Sequence, residues 1–145
     1  MRLRKERKMS KPFILEFKKN LEDIIEEGTN SKGNYVKFRN GTLIQWGTYS
    51  ESNVEFKVNS GPFYRCTLKQ FADFPVEFVG QNSDISVFIE IQNISTPEMT
   101  FLGKYGGVNN NSAPSLTNPG KFTIMKEFNS NADIRVSYLA IGKWK

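Results

Sequence analysis

The stretch Tyr35–Gly47, YVKFRNGTLIQWG, decides the fold. Two apolar runs meet at Asn40-Gly41, the strongest short-range hairpin signal a sequence offers. It predicts antiparallel strands over Tyr35–Arg39 and Thr42–Tyr49, with the turn's positive φ angles supplied by Asn40-Gly41. Trp46 alternates with Ile44 and is expected to pack in the core. Beyond the hairpin the period stays at two. Val54, Phe56 and Val58 alternate with Glu55 and Lys57, and further runs follow at Phe63–Phe71, Ile85–Ile91, Met99–Leu102, Phe122–Phe128 and Ile134–Ile141. The segment DFPVEFVG contains Pro75, which points to an edge or a strand end. Short strands at this spacing, with no helical pattern among them, predict a mainly β chain. The expected unit is an antiparallel β-sandwich over residues 35–145.

Before the hairpin the pattern differs. PFILEFKKNLEDIIEE, residues 12–27, reads as a helix with Pro12 at its first position and Gly28 as its stop. Ile14, Phe17, Leu21 and Ile24 keep heptad spacing over less than two heptads, a short coiled-coil-type oligomerisation seam. Such a seam is marginal alone and needs further contacts between chains or a longer coiled coil on another protein. The alternative is that it packs on the chain's own β domain. Residues 28–34, GTNSKGN, have the composition of a linker.

The 145 residues are one domain's worth, and carry a net charge of +5. That charge is local. Residues 1–11 hold six basic side chains and one acid, while the other 134 hold fourteen of each sign. A folded part of zero net charge has no long-range pull on phosphates, so no nucleic-acid partner is expected. The basic leader is expected to be disordered. Arg4-Lys5-Glu6-Arg7-Lys8 before Met9 is also what a purine-rich ribosome-binding site encodes, so Met9 is a second candidate start. No apolar run approaches the roughly 20 residues of a membrane span, and Phe13-Ile14-Leu15 is too short for a signal peptide. Synthesis in a cytoplasm is the expectation. The lone Cys66 is read as a small buried hydrophobe.

The absence of histidine rules out the usual Ser-His-Asp, Cys-His and His-zinc arrangements, and one cysteine makes no thiolate cluster. Gly103-Lys104-Tyr105-Gly106-Gly107 lacks the P-loop spacing. Carboxylate pairs remain conceivable for a glycan hydrolase, but none forms a motif. No catalytic residue, metal or cofactor is therefore expected. Residues 103–120, GKYGGVNNNSAPSLTNPG, form a long Gly/Asn/Ser/Pro loop of the kind that is functional or disordered. Lys104, Tyr105, Asn109, Asn110 and Asn111 combine an aromatic face with amide hydrogen-bonding groups, a set suited to sugar rings. Trp144 either caps the core or faces a neighbouring subunit.

Three pieces occur in order: GNYVKFRNGTLIQWG, FADFPVEF and VSYLAIGKWK. Together they resemble the C-terminal module of bacteriophage tail fibres and prophage tail-fibre-like proteins, related to lectin-like trimeric β-sandwiches. The resemblance implies a homotrimeric tip at the end of a virion fibre. That tip adheres to the bacterial host surface, through a glycan, without catalysis, and joins other tail or baseplate proteins through its N-terminal helix. It implies no membrane insertion. The chain departs from the family in its short shaft and in the 103–120 loop, so no binding residue transfers. A structural module that closes the fibre trimer without binding a receptor is the alternative, and a surface-glycan hydrolase a lesser one.

Overall fold

The structure, a computed structural model, describes residues 23–95, 100–105 and 113–145. Ten strands form two antiparallel sheets, and no α-helix occurs among the described residues. In the first sheet the strands are β1 (Ile24–Asn30), β2 (Gly33–Phe38), β3 (Thr42–Val54), β10 (Ala132–Lys143) and β7 (Ser86–Ile94), ordered β1-β2-β3-β10-β7. The second is centred on β9 (Lys121–Lys126). Along one edge of β9 run β5 (Phe63–Arg65) and β6 (Lys69–Gln70), with β4 (Val58–Ser60) outside β5; β8 (Thr100–Tyr105) runs along its other edge.

The opening hairpin is present, with a different turn. Gly41 has φ +94° while Asn40 does not have positive φ, and Gly41 N–H donates to Phe38 C=O at 3.0 Å. The loop is thus the three residues Arg39–Gly41, a turn closed by a left-handed glycine. The Asn40 side chain accepts from Thr42 N–H at 2.9 Å.

The chain before it is corrected more deeply. Residues 12–22 of the expected helix, with Ile14, Phe17 and Leu21, lie outside the described residues, as does the leader. Its last turn, Ile24–Glu27, is strand β1, and the expected linker is the hairpin between β1 and β2. Cross-strand contacts outweigh helical spacing here. The β1–β2 ladder runs from Ile24↔Phe38 to Asn30↔Gly33. Glu26 pairs with Lys37 at 2.9 Å and accepts from the Tyr35 hydroxyl at 2.7 Å. The Lys37 bond first, then the Tyr35 bond, hold the Glu26 carboxyl below its ordinary range.

The core lies between the sheets. Leu43, Val54, Val136, Tyr138 and Ala140 face Cys66, Phe122 and Ile124 across it. Cys66 is buried as expected, its sulfur accepting from Ile124 N–H at 3.4 Å. Phe71, Phe74 and Phe78 enter the core from a segment that is not strand. Phe71 and Phe74 meet the Tyr138 ring edge-on at 5.2 and 5.6 Å, and Phe74 meets Phe78 at 4.9 Å. Each buried ring contributes about 1.5–3 kcal/mol by leaving water.

That segment is held by backbone bonds from Phe74 N–H to Thr117 C=O at 2.8 Å and from Phe78 N–H to Leu116 C=O at 2.9 Å, and between them by Gln45. Its side chain is fully buried, with Nε2 donating to Val76 C=O and Oε1 accepting from Val76 N–H, each at 2.8 Å. The side-chain amide thus stands in for a missing partner strand. Two glycines complete the junction. A Cβ on Gly47 would lie 2.7 Å from the Tyr138 ring, and one on Gly142 would lie 2.6 Å from the Phe78 ring. At the chain end, Trp144 Nε1–H donates to Phe38 C=O at 2.8 Å, so this indole caps the core within its own chain. The three sequence pieces therefore meet at one place. Gln45→Leu keeps the side chain's approximate size and strips both polar partners from Val76. It should cost about 2–6 kcal/mol, since each of the two groups left without a bond costs about 1–3. A urea-unfolding midpoint within experimental error of the native one would contradict this.

A second polar set ties the sheets together. Lys69 on β6 pairs with Glu51 on β3 at 2.8 Å, and the Tyr49 hydroxyl donates to the same carboxylate. The Lys69 bond first, then the Tyr49 bond, lower the Glu51 carboxyl from its ordinary 4.5, while burial pushes the Tyr49 phenol up. A lowered carboxyl stabilises the fold above its unfolded value, and that stabilisation is lost as pH falls through the folded value. Glu51→Gln should therefore melt below the native chain at neutral pH, with the gap closing as pH falls through the lowered value of the folded carboxyl. A pH-independent gap in thermal melts would refute the linkage.

Candidate functional surface

Of the residues singled out for ligand binding, Lys104 and Tyr105 are the last two residues of β8, opposite Phe122 and Lys121 of β9. This places them in strand β8 rather than in the expected 103–120 loop, next to residues 106–112, which lie outside the described residues. Asn109, Asn110 and Asn111 lie outside the described residues. The candidate set is therefore brought together only in its first two members. Of the oligomerisation set, only Ile24 is described, exposed on edge strand β1.

Trp46 is not in the core; it is 40% exposed. Alternation with Ile44 is correct, but both project from the outer face of the first sheet, and Leu43, Gln45 and Gly47 point inward. A period of two says which residues share a face, not which face is buried. Here Gln45 takes the inner position because Val76 needs its amide.

The ladder registers place the outer face in rows. One row runs Phe88 (β7), Leu139 (β10), Trp46 (β3), Asn34 (β2) and Thr29 (β1). The next runs Ser86, Ile141, Ile44, Val36 and Glu27. Six adjacent side chains are thus apolar: Phe88, Leu139, Trp46, Ile141, Ile44 and Val36. Phe88 is 59% exposed and Leu139 40%. The bordering rows are polar, with Glu90, Ser137 and Thr48 on one side and Lys143 and Thr42 on the other. On the Trp46 side the patch ends in an open groove of about 380 Å³, where Thr29 Oγ1 donates to Asn34 Oδ1 at 2.7 Å.

Sequence reasoning missed this patch, yet the signal was there. Tyr138-Leu139-Ala140-Ile141 and Val87-Phe88-Ile89 are unbroken apolar runs, and Leu43-Ile44-Gln45-Trp46 is broken only by the residue that clamps Val76. Strands apolar on both faces are the ones covered on both faces. Among the described residues no group of three or more His, Cys, Asp or Glu side chains is arranged to hold a metal ion.

No family model matches the chain, and no curated protein matches it. Among solved structures the chain is similar to the N-truncated R1-type pyocin tail fibre. The identity is 11% and the TM-score 0.46, over 94% of this chain and 98% of that one. It is also similar to the Pseudomonas aeruginosa R1 pyocin fibre comprising C-terminal residues 323–701. There the identity is 11% and the TM-score 0.41, over 86% of this chain and 30% of that one. These likenesses assign no family.

Proposed function

We propose that this chain is the tip module of a phage or prophage tail fibre, working as an oligomer in the virion and adhering to the bacterial surface through a glycan, without catalysis. The observation that carries the reading is the convergence of the three resembling stretches. Gln45 and Gly47 of the first, Val76 and Phe78 of the second, and Tyr138, Gly142 and Trp144 of the third lock into one junction. The motifs that resemble the tail-fibre module thus form a single structural unit in this chain. They support an architecture more directly than a ligand.

The proposed contact with the glycan is the loop end of the second sheet, beginning at Lys104 and Tyr105. An aromatic ring and a cation there offer stacking and hydrogen bonds. Weak single-site affinity suffices when several copies act together. A purely structural, trimer-closing role is the second reading, favoured by the apolar outer face of the first sheet.

Purified protein should sediment with cells of susceptible hosts, and Lys104→Ala and Tyr105→Ala should weaken that adhesion without lowering the melting temperature. Adhesion that survives both changes rules out this site. Failure to bind any susceptible strain favours the structural role, and release of reducing sugar from envelope polysaccharide would establish the hydrolase instead.

A further inference from the structure

We propose that the groove beside Trp46, on the outer face of the first sheet, is a saccharide subsite that takes an uncharged pyranose ring. Such a subsite is a second contact for the glycan of the proposed function, and its biological role rests on that reading.

The two tryptophans are used differently. Trp144 donates its indole N–H to Phe38 C=O at 2.8 Å, and the Lys37 and Lys145 ammonium groups lie 5.7 and 4.9 Å from its ring. Trp46 is 40% exposed and has no hydrogen bond, ring contact or cation over its ring among the described residues. It therefore presents an indole donor and an apolar face from the middle strand of the sheet.

The groove has the size and the chemistry for a sugar. Its volume of about 380 Å³ falls within the roughly 300–1,000 Å³ of small-ligand clefts. Across the strands Trp46, Asn34 and Thr29 follow one another in a row about 10 Å long. Thr29 Oγ1–H donates to Asn34 Oδ1. That bond turns the Asn34 amide so that its N–H groups stay available, and leaves the Thr29 oxygen its lone pairs. Glu27, in the neighbouring row, adds a carboxylate with no ion pair among the described residues. A pyranose has a face of C–H groups and a rim of hydroxyls that both donate and accept. The indole covers the first. The Asn34 amide donates to the second, and Thr29 and Glu27 accept from it. All four side chains stand on paired strands, so little ordering accompanies binding.

Charge selects the kind of sugar. Among the described residues Glu27 lines the groove and no cation does. Lys37 lies on the opposite face of β2 and pairs with Glu26 at 2.9 Å. A carboxylate at the rim repels an acidic sugar and accepts strongly from the hydroxyls of a neutral one. The proposed contact at Lys104 and Tyr105 carries a cation instead, so the two sites separate by charge.

The test is a titration of the isotope-labelled full chain with the methyl glycosides of glucose, galactose, mannose and N-acetylglucosamine, and with glucuronic acid, followed by amide and indole NMR. The two indole N–H signals serve as probe and control. At least one neutral glycoside should shift the Trp46 indole and Asn34 side-chain signals saturably, with the Trp144 indole unmoved. Glucuronic acid should bind about tenfold more weakly, and Glu27→Gln should close that gap. Trp46→Ala and Asn34→Ala, each confirmed folded by unchanged β10 amide signals, should weaken binding about tenfold or more. Either variant suffices if the other fails to fold. No saturable shift at Trp46 with any of the neutral glycosides, glucuronic acid bound as tightly as they are, or undiminished binding by the folded variants would overturn the proposal. Shifts confined to Lys104 and Tyr105 would overturn it and leave the adhesive reading standing. Saturable binding at Trp46 by a chain that fails to adhere to susceptible cells would fault the adhesive reading and leave the subsite standing.

Discussion

The fold depends on the side chain of Gln45. Between β6 and the short 3-10 turn at Asn82–Asp84, the chain crosses the core region with little strand pairing of its own. Its backbone polar groups still need partners once covered. Gln45 supplies a donor and an acceptor to Val76 in the geometry of a strand neighbour. Further back, the Asn118 side chain donates to Phe71 C=O at 3.1 Å and accepts from Gly120 N–H at 2.7 Å. With the backbone satisfied, Phe71, Phe74 and Phe78 can commit their rings to the core, and Tyr138 gains its aromatic neighbours. Burial pushes the Tyr138 phenol up to about 12, which fits a ring placed there for its apolar surface. An apolar residue at position 45 would fill the space and leave the Val76 amide and carbonyl unpaired, while Phe74 N–H and Phe78 N–H keep their bonds to Thr117 C=O and Leu116 C=O.

The same clamp explains what sequence reading could and could not recover. Strand existence mostly followed from alternation, but the expected run Val54–Val58 is the break between β3 and β4, and Phe63–Phe71 is split into β5 and β6. β3 continues to Val54, and β9 stops at Lys126, leaving Phe128 exposed. The hairpin at Asn40-Gly41 was legible, though only Gly41 takes positive φ. The face assignment of β3 was not legible. It is decided by a long-range partner, Val76, that no local window contains. Ile24–Glu27 were misread for a related reason. Ile24-Ile25 suits a strand as well as a helical stripe, and pairing with β2 settles the matter. Of the candidate ligand site only Lys104 and Tyr105 lie among the described residues, at the end of β8.

The two sides of the sandwich differ in kind. Beyond β8 of the second sheet the sequence is polar and rich in turn formers. The outer face of the first sheet is flat, regular and apolar at its centre. Loops on a rigid scaffold suit variable recognition, and a pleated apolar face suits a fixed partner. The two sides of the sandwich share one support. The junction of Gln45, Gly47, Tyr138, Gly142 and Trp144 lies where both depend on it, because β3 and β10 are at once the floor of the core and the centre of the outer face.

Native-state hydrogen exchange at the Val76 amide tests the central claim most directly. Val76 belongs to no strand, so an ordinary surface segment would exchange there within a local fluctuation. If Gln45 closes the segment as a strand would, the Val76 amide should exchange only through unfolding of the domain, with protection matching the amides of β10. Exchange at the rate of a free loop would contradict the account.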